Sequence, residues 1–213
     1  MIFDLDGTLI ESSIDITHAV NYAVEPYGVV PLTVPEVISL VGEGISRLME
    51  KIVAKDAIEA NPDVLIERFL DHYSAHLTDN TTLYPGVREV VSQLGAYRKA
   101  VISNKRESLS VRILEQLGLA EHMDMVVGSD TLKERKPSPL PVYHVLSAFG
   151  ISPEEAVIVG DSNYDIEAGK SAGIKTVAVT YGYRPLDLLR GADFIIDSMT
   201  GLPGVLKMLN VAC

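Results

Sequence analysis

The sequence predicts an α/β protein whose parallel sheet is interrupted, just after its first strand, by a block of helices. Three features carry that prediction. From about Val87 onward, short apolar, β-branched runs alternate with helical periodicity, the pattern of βαβ units around a buried sheet. A separate apolar run, Met1 to Asp6, opens the chain. Between it and Pro85 every periodic segment is helical, which puts those helices in a domain of their own.

Taken in order, residues 1–6 (MIFDLD) form a short first strand, charged from Asp4 onward. Residues 14–27, 35–40, 45–54 and 62–77 then repeat apolar positions at helical spacing. Pro85 and Gly95 bracket a fifth helix, and Gly118, Gly150 and Gly173 end three more, following the preference for proline at helix starts and glycine just past helix ends. Strands are expected at residues 99–103 (KAVIS), 123–127 (MDMVV), 156–160 (AVIVG), 175–179 (KTVAV) and 192–196 (ADFII). The simplest division is a sheet core of residues 1–10 and 81–213 and a helical domain of residues 11–80.

Composition narrows the function. The 213 residues suit one large domain, or one carrying an insertion, and carry a net charge of −11 with no run of Lys or Arg. Binding to nucleic acid or to an anionic membrane surface is therefore not expected. The acidity is concentrated: residues 11–80 hold 12 acidic against 4 basic side chains, leaving 17 against 14 for the core. The lone cysteine, Cys213, offers no internal disulfide, and no stretch reaches the roughly 18 apolar residues of a membrane span. Asp4 and Asp6 interrupt the place where a signal peptide would need an apolar run, so a cytoplasmic protein is expected, as a monomer or homodimer.

Two acidic pairs stand where chemistry is expected. Asp4 and Asp6 close the first strand, followed by Gly7 and Thr8; residues two apart on a strand share a side, so both carboxyls can converge. An ordinary Asp-Gly turn would leave the same residues solvated. Asp161 and Asp165 follow the strand at 156–160 in the same way, though capping of the next helix would also account for them. If the two strands are neighbours, four carboxylates meet at the sheet edge where α/β proteins bind ligands, and their repulsion calls for a hard divalent cation such as Mg²⁺. Ser103-Asn104-Lys105 and Lys136 end other segments and could hold a phosphoryl group. For Lys105 and Arg135, solvated surface roles are expected.

The ordered set Asp4-Leu5-Asp6-Gly7-Thr8-Leu9, Ser103, Lys136 and Gly160-Asp161-Ser162 to Asp165 resembles the four motifs of the haloacid-dehalogenase-like phosphatase superfamily. The resemblance implies a Rossmann-like three-layer core with a helical C1-type cap inserted after the first strand. It implies Asp4 as nucleophile through an aspartyl phosphate, Asp6 as acid and base, and Ser103 and Lys136 as holders of the phosphoryl group. It also implies Mg²⁺ bound by the Asp4 carboxylate, the Asp6 carbonyl and Asp161, with Asp165 a ligand through water or an orienting group. Dehalogenases of the superfamily lack an acid at the Asp6 position, so the resemblance is to a phosphatase.

Within the superfamily, the segment from Gly42 to Glu50 (GEGISRLME), the Ile10-Glu11-Ser12 continuation, Asn21 and Thr180-Tyr181-Gly182-Tyr183 resemble the phosphoglycolate phosphatase family, whose members usually carry Asp where this chain has Glu11. Gly42 and Gly44, with Thr8 and Asn104, are the expected substrate-binding residues, and a small-molecule phosphate ester is the expected partner. The same glycines also suit a plain helix-to-helix turn. Gly44-Ile45-Ser46-Arg47 partly resembles the cap loop of β-phosphoglucomutases, which makes a phosphosugar mutase the second reading. Broad sugar-phosphate or nucleotide hydrolysis, or a non-catalytic binding protein, would fit the same fold. His72 and His76 have metal-ligand spacing but lack a third ligand and the HExxH context.

Overall fold

In a computed structural model, residues 1–56 and 59–209 are described; the terminal Cys213 lies outside the described residues. The chain divides into two units, Met1–Glu11 with Leu83–Cys213, and Ser12–Thr82. The strands in chain order are β1 (Ile2–Phe3), β2 (Ile10–Glu11), β3 (Thr82–Leu83), β4 (Ala100–Ile102), β5 (Met125–Val127), β6 (Val157–Gly160), β7 (Lys175–Val179) and β8 (Phe194–Ile196). Six of them form one sheet in the order β5-β4-β1-β6-β7-β8, every pairing parallel. β2 and β3 form a separate two-stranded ladder.

This order fixes the position of the site. From β1 the chain adds β4 and β5 on one side, then crosses back to add β6, β7 and β8 on the other. The carboxyl ends of β1 and β6 therefore flank a topological switch point, where the loops that follow adjacent strands diverge and leave a crevice. β1 is shorter than expected. Ile2 and Phe3 pair with Ala100 and Val101 on one side and Ile158 and Val159 on the other, and the charged Asp4 and Asp6 lie beyond the ladder. Residues 175–179 form β7 as predicted; the other four predicted core strands start one or two residues later in the ladder.

The helices are α1 (Ser13–Val24), α2 (Val34–Leu40), α3 (Ile45–Asp56), α4 (Pro62–Ala75), α5 (Val87–Gln93), α6 (Glu107–Gln116), α7 (Leu140–Phe149), α8 (Asn163–Ser171), α9 (Leu186–Leu189) and α10 (Leu202–Met208). In the sheet unit, Ile2, Ile102 and Ile158 pack with Val142, Val145 and Phe149 of α7 and with Ala168 of α8, all buried. Each such aliphatic side chain contributes about 1.5–3 kcal/mol of transfer free energy, enough to hold short strands in a fixed register.

The helical unit has its own core, in which Ala19, Val20 and Ala23 of α1 and Leu65, Phe69 and Tyr73 of α4 are buried. α4 starts where Asn61 accepts from the Asp63 N–H (3.0 Å) and Pro62 takes the first turn, where no N–H is needed. The helix expected over 14–27 stops at Val24, because Pro26 lacks the donor to continue it; a 3-10 turn, Glu25–Tyr27, follows. Arg68 donates to the Tyr22 and Ala23 carbonyls (2.8 and 3.2 Å) at the C-terminus of α1, and its guanidinium lies 4.7 Å from the Tyr22 ring centroid. At the unit's two ends, the buried Asp15 carboxylate accepts from the Asn80 and Thr81 backbone N–H groups and from both side chains, at 2.7–3.1 Å. No helix among the described residues is long and apolar enough to cross a membrane.

Candidate active site

Three adjacent strands deliver the central side chains. Asp4 is the first residue past β1 and stays tied to the sheet through its N–H to the Val159 carbonyl (2.9 Å). The chain then reverses, with the Leu9 and Ile10 N–H groups both donating to the Leu5 carbonyl (2.9 and 3.1 Å). Gly7 turns this corner at φ 87°, and a Cβ there would sit 2.3 Å from Asp161 Oδ2, so both the backbone and the space require glycine. β6 delivers Asp161, and β4 delivers Ser103, which is buried with its N–H on the Val127 carbonyl (2.9 Å).

Asp4, Asp161 and Asp165 each bring one carboxylate oxygen within 4.8 Å of the others, all three buried. Lys136 enters this cluster. Its ammonium donates to Asp4 Oδ1 (2.6 Å), Asp165 Oδ1 (2.6 Å) and the Ile102 carbonyl (2.7 Å), which uses all three of its protons. Its backbone is held in turn by Asn104 Nδ2, which donates to the Lys136 carbonyl (2.9 Å). The second Asp165 oxygen accepts from Ser162 N–H (3.1 Å) and Oγ (2.6 Å), closing the capping box that starts α8. Asp165 thus caps its helix and orients Lys136 at the same time.

Three buried carboxylates gather around one buried ammonium that pairs with two of them, and the electrostatics follow. Burial pushes the Asp4 carboxyl up to about 7; Lys136 opposes that rise and Asp165 adds to it. Burial, then the charges of Asp4 and Asp165, hold Asp161 well above the usual carboxylate range. Burial disfavours the Lys136 charge, but the pull of Asp165 and Asp4 prevails and its pKa lies above the ordinary lysine value.

The expected meeting of four carboxylates resolves into three and one. Asp6 does not join the others; its carboxylate is ion-paired with Lys105, whose side chain is only 9% exposed. The expectation of a solvated Lys105 is therefore corrected. Lys105 stands two residues beyond Ser103 past the end of β4, just as Asp6 stands two beyond Asp4 past β1, and that shared spacing was the available signal.

A tyrosine-rich loop buttresses the opposite side. The Tyr183 N–H donates to Asp161 Oδ2 (2.6 Å), and Gly182 passes so close that a Cβ would lie 2.3 Å from both Asp161 Cβ and the Gly7 carbonyl. Tyr181 OH donates to the Thr8 carbonyl (2.9 Å), its ring 4.7 Å from that of Tyr84, whose OH donates to Glu11 (3.0 Å). Burial and the neighbouring Glu11 raise the Tyr84 phenol above its ordinary pKa. Thr8 is fully buried, and its Oγ1 has no hydrogen-bond partner among the described residues. Gly42 and Gly44 lie in the turn between α2 and α3 of the helical unit, both at positive φ. The rings of His72 and His76 pack 4.5 Å apart, and neither belongs to a metal-capable group among the described residues.

A carboxylate-and-lysine centre thus stands at the switch point of a parallel α/β sheet. The chain belongs to the haloacid dehalogenase-like hydrolase family, whose model matches residues 1–179. It is 41% identical to the phosphoglycolate phosphatase of Chromobacterium violaceum over 96% of this chain and 95% of that one. It is 40% identical to the phosphoglycolate phosphatase of Aquifex aeolicus, covering 88% and 87% of the two chains. Among solved structures, a predicted phosphoglycolate phosphatase from Haemophilus somnus superposes with a TM-score of 0.91 at 30% identity, over 96% of each chain.

Proposed function

We propose that this protein is a Mg²⁺-dependent phosphomonoesterase that hydrolyses 2-phosphoglycolate to glycolate and phosphate through an aspartyl phosphate on Asp4. The observation that carries the reading is the buried Asp4, held by Lys136 at 2.6 Å among Asp161 and Asp165. The substrate follows from the phosphoglycolate phosphatases that resemble this chain over nearly its full length. The residues fit a hard cation: three buried carboxylates face one ammonium, and oxygen-rich, negatively charged donor sets suit Mg²⁺. Asp4, Asp161 and the Asp6 carbonyl would hold it, with Asp165 orienting the site, and it would neutralise charge on the phosphoryl oxygens.

In the first step an Asp4 oxygen attacks phosphorus while the bond to the ester oxygen breaks, and Asp6 gives that oxygen a proton as glycolate leaves. In the second, Asp6 takes a proton from water, the water oxygen attacks phosphorus, and the phosphorus–Asp4 bond breaks to release phosphate. Ser103 Oγ and Lys136 position the transferring group, consistent with a reaction that demands placement and charge compensation above all. Thr8 and Asn104 shape the phosphate site, and Gly42 and Gly44 of the helical unit are the candidate substrate-selecting residues.

Turnover measured across 2-phosphoglycolate, sugar phosphates, nucleotides and pyrophosphate, with Mg²⁺ and with chelator, tests this reading. Phosphoglycolate is expected to rank first and to require the metal. A low rank for phosphoglycolate overturns the substrate, and an Asp4→Asn variant with wild-type turnover overturns the nucleophile.

A further inference from the structure

We infer that Lys105 is the specificity-determining residue of this site: its ammonium leaves Asp6 to bind the carboxylate of the substrate. The inference rests on the phosphoglycolate reading and adds the group that selects that acid over other phosphate esters. Two lysines of the sheet unit are paired with the first-strand aspartates, Lys136 with Asp4 and Lys105 with Asp6. Lys136 belongs to the phosphoryl end of the site, where it holds Asp4, Asp165 and the Ile102 carbonyl.

The chemistry of the substrate fixes where its second charge falls. Asp6 must lie within hydrogen-bond reach of the ester oxygen it protonates. In phosphoglycolate one methylene separates that oxygen from the carboxylate, so the carboxylate arrives beside Asp6, where the Lys105 ammonium already sits. The lysine is also built to exchange anions. Its side chain is 9% exposed, so it needs an anionic partner with and without substrate. Its backbone is anchored by Lys105 N–H to Ser103 Oγ (3.1 Å) and by Ser129 N–H to its carbonyl (2.8 Å), leaving a flexible four-carbon stem to carry the charge over a short path.

The test compares kcat/KM for 2-phosphoglycolate with kcat/KM for ethyl phosphate, in which a methyl group replaces the carboxylate. The wild-type protein is expected to favour phosphoglycolate strongly. Lys105→Gln is expected to lower that ratio by about 10- to 100-fold, the effect of one charge-assisted hydrogen bond, mainly through KM for phosphoglycolate. Lys105→Met, which keeps the apolar stem, should behave alike, and Lys105→Arg should retain most of the ratio. An unchanged ratio in the two neutral variants overturns the inference, whether both activities fall together, as a residue that only positions Asp6 would give, or neither falls. A wild-type ratio near one overturns the phosphoglycolate reading itself and this inference with it.

Discussion

Replacing Lys136 with methionine removes the one ammonium from the carboxylate cluster at nearly constant side-chain volume, so the cavity contribution is small and the electrostatic one is isolated. Three bonds of 2.6–2.7 Å are lost, two of them to carboxylates that remain buried. Breaking a buried ion pair by removing one partner costs about 3–5 kcal/mol, and that loss is expected in urea unfolding of the metal-free protein at pH 7. Mg²⁺ should restore part of it, because the cation binds the folded state and offsets the same charge. Turnover should fall by at least about 10³-fold, the scale seen when a donor to a developing anion is removed. Adding Asp165→Asn to Lys136→Met should recover stability but not turnover, since it deletes an orphaned charge without restoring the ammonium at Asp4. A variant that keeps more than about a tenth of wild-type kcat, or loses less than about 1 kcal/mol in chelator, contradicts this account of Lys136.

Two further outcomes follow from the raised and lowered carboxyls. With Asp4 pushed up to about 7 and Asp161 also raised, a cation must displace protons to bind, so Mg²⁺ affinity should tighten by roughly tenfold per pH unit for each proton displaced between pH 5.5 and 7. Calorimetry in buffers of different ionisation enthalpy measures that proton release; an affinity independent of pH over this span would count against the raised values. Burial acts to raise the Asp15 carboxyl, but its hydrogen bonds from Asn80 and Thr81 prevail and hold it below the ordinary 3.8. Because the folded value lies below the unfolded one, this stabilisation is complete above about pH 4 and fades as pH falls through the folded value. Asp15→Asn should cost about 2 kcal/mol at pH 7 and flatten the acid limb of a urea-midpoint series from pH 3 to 7, and parallel curves for the two proteins would refute the assignment.

Residue type and order made the chemistry legible early. Asp4-Leu5-Asp6-Gly7-Thr8, Ser103, Lys136 and Asp161 to Asp165 are local signals, each a polar group just past an apolar run or beside a proline or glycine, and short-range geometry suffices to read them. The alternation that predicted a parallel sheet is equally local, because a strand buried on both faces needs a continuous apolar run. The small ladder of β2 and β3 and the helices α9 and α10 left no such signal, since two-residue strands and one- or two-turn helices carry too few residues to show a period.

What the linear chain could not determine was which of its charged groups would share a partner. Asp4 to Asp6 and Ser103 to Lys105 are separated by about a hundred residues, and nothing local says that β1 and β4 pair in register, with Ile2 opposite Ala100 and Phe3 opposite Val101. That pairing brings the segment after β4, with Lys105, beside Asp6, while the β1–β6 pairing brings the segment after β6, with Asp161, near Asp4 and leaves Asp6 outside the metal-capable group. Sequence by itself determined the set of reactive groups, because composition and periodicity are properties of the chain. Only the tertiary structure decided their pairing, because strand order and register are set by long-range burial of apolar faces, which the spacing of residues along one strand does not encode.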